Sequence, residues 1–189
     1  TLCVSVNEQV IHGIPGHRVL NPGDVVSLDL GLIYEGYYAD SAITVACGSV
    51  VARDQELIET TRRSLYAGID AVHVGARLGD IGHAVQQVAE AQGMSVVRDY
   101  VGHGVGKELH EDPEVPNYGR AGTGITLKEG LVIAIEPMVN AGSSAVRVLN
   151  DDWTVVTVDG HKSAHFEHTI AVTKSGPYVL TAAPTENEP

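Results

Sequence analysis

Four acidic residues lie inside apolar segments that have the composition of β-strands: Asp29, Asp40, Glu136 and Glu167. Aspartate and glutamate are rare in strands, and burying an unpaired carboxylate costs several kcal/mol. A single acid of this kind usually lies on a solvated face of its strand. None of the four segments contains a lysine or an arginine. The sequence therefore indicates that something other than a basic side chain neutralises these acids.

Divalent cations would neutralise such a cluster, because four carboxylates carry a charge of −4 and two M²⁺ ions carry +4. Carboxylates together with one imidazole suit Mn, Fe, Co or Zn. Two such ions about 3.5–4 Å apart can share a water, lower its pKa and polarise the carbonyl that it attacks. His103 is the candidate imidazole, since the glycines of residues 102–106 would let its ring approach a crowded site. A lone histidine is otherwise more often structural or solvated.

A short internal repeat relates the segments that carry the acids. Residues 23–29 resemble residues 130–136, each with a glycine, an apolar strand and an acid six positions on. Residues 40–45 likewise resemble residues 167–172, each beginning with an acid that is followed by a strand segment. The repeat predicts two similar hairpins, each contributing one acid per strand.

The elements around these segments follow from hydrophobic periodicity and turn residues. Apolar residues at intervals of three and four predict helices over residues 54–72 and 80–92, with Gly93 ending the second. Residues 102–130 are rich in glycine, proline and polar residues and are interpreted mostly as loop. Strands are expected over residues 4–14, 25–30, 34–45, 131–136, 153–158 and 165–172. Strands, then helices, then strands predict an α+β domain.

Composition narrows the class of protein. The 189 residues are enough for one domain with a sizeable core. A net charge of −12 argues against direct nucleic-acid binding. No apolar run approaches the 18 to 20 or so residues of a membrane span, and no secretory leader is visible. Two cysteines suit a reducing compartment. We expect a soluble cytoplasmic domain.

These residues carry a close resemblance to the type I methionine aminopeptidases, metallopeptidases of the pita-bread fold. The resemblance runs from residue 3 to about residue 180, in the family's order. The matching segments are residues 3–15, 29–31, 38–40, the Gly-His-Gly motif within 102–113, the Glu-Pro-Met motif within 135–138, and Phe-Glu-His-Thr at 166–169.

The resemblance implies a role for each of the five metal-site candidates. Asp40 and Glu167 would bridge two divalent ions (Co, Mn, Fe or Zn), and Asp29 would bind one of them. His103 and Glu136 would bind the other, and Glu136 would also pass a proton from the bridging water to the leaving amine.

The resemblance also implies a substrate site. His12 and His110 match two histidines that hydrogen-bond the substrate around the scissile peptide, and Cys3, Leu109 and Trp153 match the lining of the methionine pocket. The family usually has an aromatic residue at the position of Leu109, so the pocket is expected to differ somewhat in shape. Considered alone, His110 could be a solvated loop residue, His12 a turn cap, Trp153 plain core and Cys3 a small buried apolar residue. The other histidines receive no role: His17, His73, His83, His161, His165 and His168.

The fold implied is an antiparallel sheet with pseudo-twofold symmetry and helices on its outer face. Residues 1–180 are expected to form the catalytic domain, without the N-terminal helix pair of the family, and residues 181–189 a flexible acidic tail. Part of one sheet face would then be uncovered and apolar. A fragment of a longer protein is the favoured explanation; a second polypeptide or a shortened relative are the others.

The function implied is that of a metal-dependent aminopeptidase, in which a metal-bridging water attacks the peptide bond. It would remove the N-terminal methionine of nascent proteins and peptides when the second residue is small, with association with the ribosome as a further expectation. Two alternatives stay open. One is a catalytically inactive pita-bread module that binds peptides, and the other is a relative of the Xaa-Pro peptidases.

Overall fold

The computed structural model describes residues 2–182, in which strands precede and follow a pair of helices. The helices are α1 (Ala52–Asp70) and α2 (Leu78–Ala91). The strands before them are β1 (Leu2–Val6), β2 (Gln9–Ile11), β3 (Val25–Tyr34) and β4 (Tyr37–Ala46). The strands after them are β5 (Ser95–Val96), β6 (Gly102–Gly104), β7 (Glu111–Val115), β8 (Val132–Ile135), β9 (Met138–Asn140), β10 (Val146–Val148), β11 (Val155–Thr157), β12 (Ser163–His165), β13 (Glu167–Thr173) and β14 (Gly176–Val179).

The main sheet is antiparallel, with strand order β1-β3-β4-β13-β8-β6-β7 and β14 paired with β13. Its central four strands contain the internal repeat, β3 and β4 on one side and β13 and β8 on the other. The first pair is a hairpin closed by Glu35 and Gly36, which both have positive φ as a two-residue turn requires. The second pair is not the predicted hairpin, because β9 to β12 lie between β8 and β13 in the chain. The pseudo-twofold sheet of an α+β protein is confirmed.

Two smaller sheets complete the fold around one end of the main sheet. One has the strand order β10-β11-β2 and the other β12-β9-β5. The predicted strand over residues 4–14 is wrong as a single element, because Asn7 adopts a φ of 60° and divides it. After this turn β2 leaves the main sheet and pairs with β11.

The helices cover one half of the outer face of the main sheet. Leu65 and Ile69 of α1 and Ile81 of α2 pack in one buried cluster with Ile133 of β8 and Ile170 of β13. Helix α2 begins where the amide of residue 77 donates to the Asp80 carboxylate, and Gly93, with a φ of 68°, follows its last turn as predicted. Both predicted helices are therefore confirmed, each to within about two residues at its first residue.

The other half of the outer face is exposed. Ile43 and Val45 on β4 are 46% and 41% exposed, whereas their repeat counterparts Ile170 and Val172 are 0% and 1% exposed. The two halves share strand pattern and polarity, and in the described residues only one of them carries helices on this face.

Two further expectations differ from the structure. The segment over residues 102–130, interpreted mostly as loop, contains β6 and β7, which extend the main sheet beyond β8. The predicted strand over residues 153–158 starts only at Val155, because Asp151 accepts hydrogen bonds from the amides of Trp153 and Thr154 in a tight turn.

Residues 183–189 of the predicted acidic tail lie outside the described residues. Neither described helix is long and apolar enough to cross a membrane.

Candidate active site

Strand register places the acids of the first repeat unit on the inner face of the main sheet, opposite the helices. Asp29 pairs with Ala42, and Gly31 pairs with Asp40, so the two acids point to the same side. Glu167 also pairs with Ala42, across the β4–β13 junction. The alternation of strand side chains therefore brings three carboxylates from three adjacent strands together.

The second repeat unit completes the set. Thr169 of β13 pairs with Ala134 of β8, which puts Glu136 on the same face two residues later. His103 lies on β6. The next residue, Gly104, pairs with Ile133 of β8. A Cβ at Gly102 would collide with the carbonyl oxygen of Ala134. The glycine therefore serves the close approach of β6 to β8 rather than that of the ring itself.

Three of these side chains already form a group able to hold a metal ion. One ligand atom from each of Asp40, His103 and Glu167 lies within 4.8 Å of the others, and all three residues are buried. The Nδ1 atom of His103 lies 2.9 Å from the carbonyl oxygen of Gly104. If Nδ1 carries the proton and donates it there, Nε2 is left with a lone pair for a metal, the usual arrangement in metal sites.

Glu136 adjoins this group. Its Oε1 lies 3.5 Å from Nε2 of His103, and its carbonyl oxygen accepts a hydrogen bond from the side chain of Asn117. The carboxyl group of Asp40 lies close enough to Asp29 to raise the pKa of Asp29. The structure thus brings together all five predicted metal-site residues.

Burial and mutual repulsion raise the pKa values of Asp29, Glu136 and Glu167. The pKa of Asp29 rises to about 6, first because of burial and then because of Asp40. Burial, followed by the neighbouring carboxylates, raises the pKa of Glu136 and of Glu167 well above its usual range. Oε1 of Glu167 is buried and has no hydrogen-bond partner within residues 2–182.

No lysine or arginine of residues 2–182 forms an ion pair with these four acids. The described ion pairs of basic side chains involve other acids. Their basic partners are Arg62, Lys162 and Lys174. A buried donor set of carboxylates and one imidazole, with no cationic side chain against it, fits divalent metal ions.

A cavity of about 720 Å³ opens above the acids. It brings together every predicted substrate-site residue and two of the acids. Its lining includes Cys3, His12, Asp29, Asp40, Leu109, His110 and Trp153. The geometry is therefore that of a pocket with a carboxylate floor and a wall of mixed apolar and imidazole character.

His12 lies at the edge of this cavity, where its backbone has an unusual conformation and its ring contacts two aromatic rings. It follows β2 with a φ of 61°, a conformation that L residues rarely adopt and that is common at functional sites. Its ring stacks on Trp153 with centroids 5.3 Å apart and meets Tyr100 edge-on at 6.1 Å. Burial, and then the proximity of His110, lowers the pKa of His12. Its ring is therefore neutral at pH 7.

His110 and Leu109 come from the loop between β6 and β7. The ring of His110 lies 4.3 Å from that of His103, measured between centroids. Leu109 reaches across to β3, where its Cδ1 is 3.6 Å from the position that a Cβ would take at Gly31.

Cys3 and Trp153 also line the cavity. Cys3 pairs with Asp29 in the sheet, and burial followed by the charge of Asp29 raises the pKa of its thiol. Trp153 is 53% exposed, so it is not the core residue that its type would favour.

His165 was given no role from the sequence, yet it lies beside the acids. Its Nε2 is 3.7 Å from Oε2 of Glu136. Alternation from Glu167 would have placed residue 165 on the inner face, and this signal was available. His168 lies on the opposite face, with its ring centroid 6.0 Å from that of Tyr66, as its position after Glu167 predicts.

Comparison with known proteins decides the family. Residues 1–174 match metallopeptidase family M24. The chain belongs to this family. Within M24 it groups with the methionine aminopeptidases, since it is 55% identical to methionine aminopeptidase 1 of Bacillus subtilis over 181 residues, covering 96% of this chain and 73% of the relative. A methionine aminopeptidase of Clostridium acetobutylicum is 52% identical, with the same coverage.

Solved M24 structures share the pita-bread fold described above. A methionine aminopeptidase from Thermotoga maritima superposes with a TM-score of 0.95 at 51% identity, covering 96% of this chain and 74% of that one. A prolidase from Pyrococcus horikoshii gives a TM-score of 0.76 at 24% identity, covering 96% and 47%. The second likeness concerns the fold alone. Membership of a metallopeptidase family and the buried ligand group together support the use of divalent metal.

Proposed function

We propose that this M24 chain removes the N-terminal methionine from peptides and nascent proteins whose second residue is small. One observation carries the proposal: a cavity lined by Cys3, Leu109 and Trp153 opens directly onto the buried acids. The high identity to methionine aminopeptidases supports the same activity.

The proposed centre holds two divalent ions, of Co, Mn, Fe or Zn. Asp40 and Glu167 would contact both ions, Asp29 one of them, and His103 with Glu136 the other. The charges balance, because four carboxylates face two M²⁺ ions. When bound, the ions supply a nucleophile made from water at neutral pH and polarise the scissile carbonyl.

Glu136 is the proposed proton carrier. Its carboxylate would take the proton that the attacking water gives up and deliver it to the amine that leaves.

His12 and His110 are the proposed substrate ligands. Both line the cavity, and the lowered pKa of His12 keeps its ring neutral, with one donor and one acceptor nitrogen for a peptide group. The methionine side chain would lie against Leu109 and Trp153. Two imidazoles crowding the scissile bond would leave room for only a small second residue.

The remaining expectations belong to the same proposal. The substrate would be nascent chains in the cytoplasm, with association with the ribosome. An inactive peptide-binding module is disfavoured, because the four acids and the one imidazole of the centre are all present and close together. A Xaa-Pro peptidase is disfavoured by the gap between 55% identity to a methionine enzyme and 24% to a prolidase.

The test is release of methionine from Met-Ala-Ser by the chain with Mn²⁺ or Co²⁺. We expect turnover that Glu136→Ala abolishes, while peptide binding is retained. Glu56→Ala, at an exposed position of α1, is the matched control and should match the unmodified chain. Peptide binding without turnover in the unmodified, metal-loaded chain would contradict the proposal and favour the inactive module.

A further inference from the structure

His165 is a buried imidazole whose polar atoms are unused. Its side chain is 2% exposed, and neither Nδ1 nor Nε2 has a hydrogen-bond partner among the described residues. Buried polar atoms in proteins nearly always have a hydrogen-bond partner. Two ring nitrogens without one therefore call for an explanation.

The backbone around His165 fixes where the ring points. Its amide donates to Thr44 Oγ1 at 2.8 Å, and the same hydroxyl donates to its carbonyl oxygen at 2.7 Å. On the other side, His165 pairs with Met138 across β12 and β9. The residue is therefore tied to both β4 and β9, and its ring has little freedom to move away from the acids.

The ring points at Glu136. Nε2 of His165 lies 3.7 Å from Glu136 Oε2, while Nε2 of His103 lies 3.5 Å from Glu136 Oε1. One carboxylate thus has an imidazole beside each of its oxygens. A neutral imidazole carries a single N–H, which can lie on Nε2.

On the basis of the proposed function, we propose that His165 is a positioning residue for the metal centre: its Nε2–H donates to Glu136 Oε2 and turns Oε1 toward His103 and Asp40. A shift of a few tenths of an ångström shortens the present separation to a hydrogen bond. Carboxylates that bind metals are commonly held by such outer hydrogen bonds. His165 itself touches neither the substrate nor the ions.

The test compares His165→Gln with His165→Met. The two side chains have similar length and volume, so loss of packing affects both alike, and only glutamine keeps an N–H donor. We measure Mn²⁺ affinity by titration calorimetry, together with kcat and KM for Met-Ala-Ser. His165→Met should weaken Mn²⁺ binding and lower kcat by about 10–100-fold with KM within about threefold, and His165→Gln should stay within about threefold of the unmodified chain. Equal losses in both variants, or no loss in either, would overturn the proposal.

A second measurement uses the unmodified chain, so it holds even if a variant fails to fold. Nitrogen-15 NMR of the histidine rings, with His165 assigned from the signal lost in His165→Gln or by selective labelling, reports which nitrogen carries the proton. We expect the Nε2–H tautomer, and an Nδ1–H tautomer would refute the role. The Mn²⁺ affinities and the tautomer do not depend on turnover. If the unmodified chain released no methionine, the proposed function would fail. That failure is distinguishable from failure of the role proposed for His165.

Discussion

At the scale of single residues, the site is built from groups that repel one another. Asp40 repels the carboxylate of Asp29, and Glu136 and Glu167 are buried beside them with no lysine or arginine partner among the described residues. The folded chain therefore holds protons on Asp29, Glu136 and Glu167 more tightly than the unfolded chain does. Such an arrangement costs stability in the absence of metal and favours any cation that can enter.

Asp29→Asn should remove part of this cost in metal-free protein. The folded-state pKa of Asp29 is about 6, above its ordinary 3.8, so its contribution to stability falls as pH rises from about 4 through 6. We expect the variant to equal the unmodified chain at pH 4 and to exceed it by about 2 kcal/mol at pH 8. Urea unfolding of the variant and of the unmodified chain at pH 4 and pH 8, with a chelator present, measures these free energies of unfolding.

The control for this prediction is Glu56→Gln, an exposed carboxylate on α1. It should change the free energy of unfolding by less than about 0.5 kcal/mol at either pH. A gap between Asp29→Asn and the unmodified chain that is the same at pH 4 and pH 8 would show that the effect is not protonation.

At the scale of elements, helix α2 is placed by the close approach of a loop. A Cβ at Gly82 would meet the carbonyl oxygen of Tyr118 and would lie 2.6 Å from that of Pro116. The same loop supplies Asn117, whose side chain donates to the carbonyl oxygen of Glu136. The glycine in the helix therefore helps to seat a segment that supports the metal site.

Gly82→Ala tests this packing. Alanine is the better helix former by about 1 kcal/mol, so an effect of propensity alone would stabilise the protein. Because the backbone carbonyls cannot yield cheaply, we expect destabilisation of about 1–3 kcal/mol, measured by thermal or urea unfolding. Gln87→Ala, at an exposed position of the same helix, is the control and should be close to neutral. A stabilised Gly82→Ala variant would show that the loop moves aside.

At the scale of the whole molecule, the two halves of the sheet differ in what covers them. Helices α1 and α2 bury the outer face of β8 and β13, while Ile43 and Val45 of β4 stay exposed. Clustered apolar side chains on a sheet favour association in water.

This chain should therefore self-associate as its concentration rises, despite its net charge of −12. The double variant Ile43→Lys/Val45→Lys should shift the midpoint of association to at least about tenfold higher concentration, the equivalent of 1.4 kcal/mol. Sedimentation velocity over a hundredfold range of concentration measures the shift. The matched control carries lysines at two exposed helix positions away from this face, Gln55→Lys/Gln87→Lys, and changes the net charge by the same amount. An equal shift in the control would assign the effect to net charge rather than to the apolar face.

The sequence alone was enough to predict the two helices and the hairpin of β3 and β4. These features depend on hydrophobic period, turn residues and strand alternation, which are local. The four unpaired acids and their repeat also predicted a metal site from charge balance. The order of chain segments led to the expected α+β class.

Only the tertiary structure decided which distant strands became neighbours. The pairing of β4 with β13 unites the two repeat units, and the departure of β2 to pair with β11 places His12 at the mouth of the cavity. The position of His165 beside Glu136 belongs to the same level, since it depends on β12 pairing with β9. Local patterns determine which way a side chain points from its own strand. Contacts between strands far apart in the chain depend on how all the apolar surfaces pack together, and that information is spread over the whole sequence.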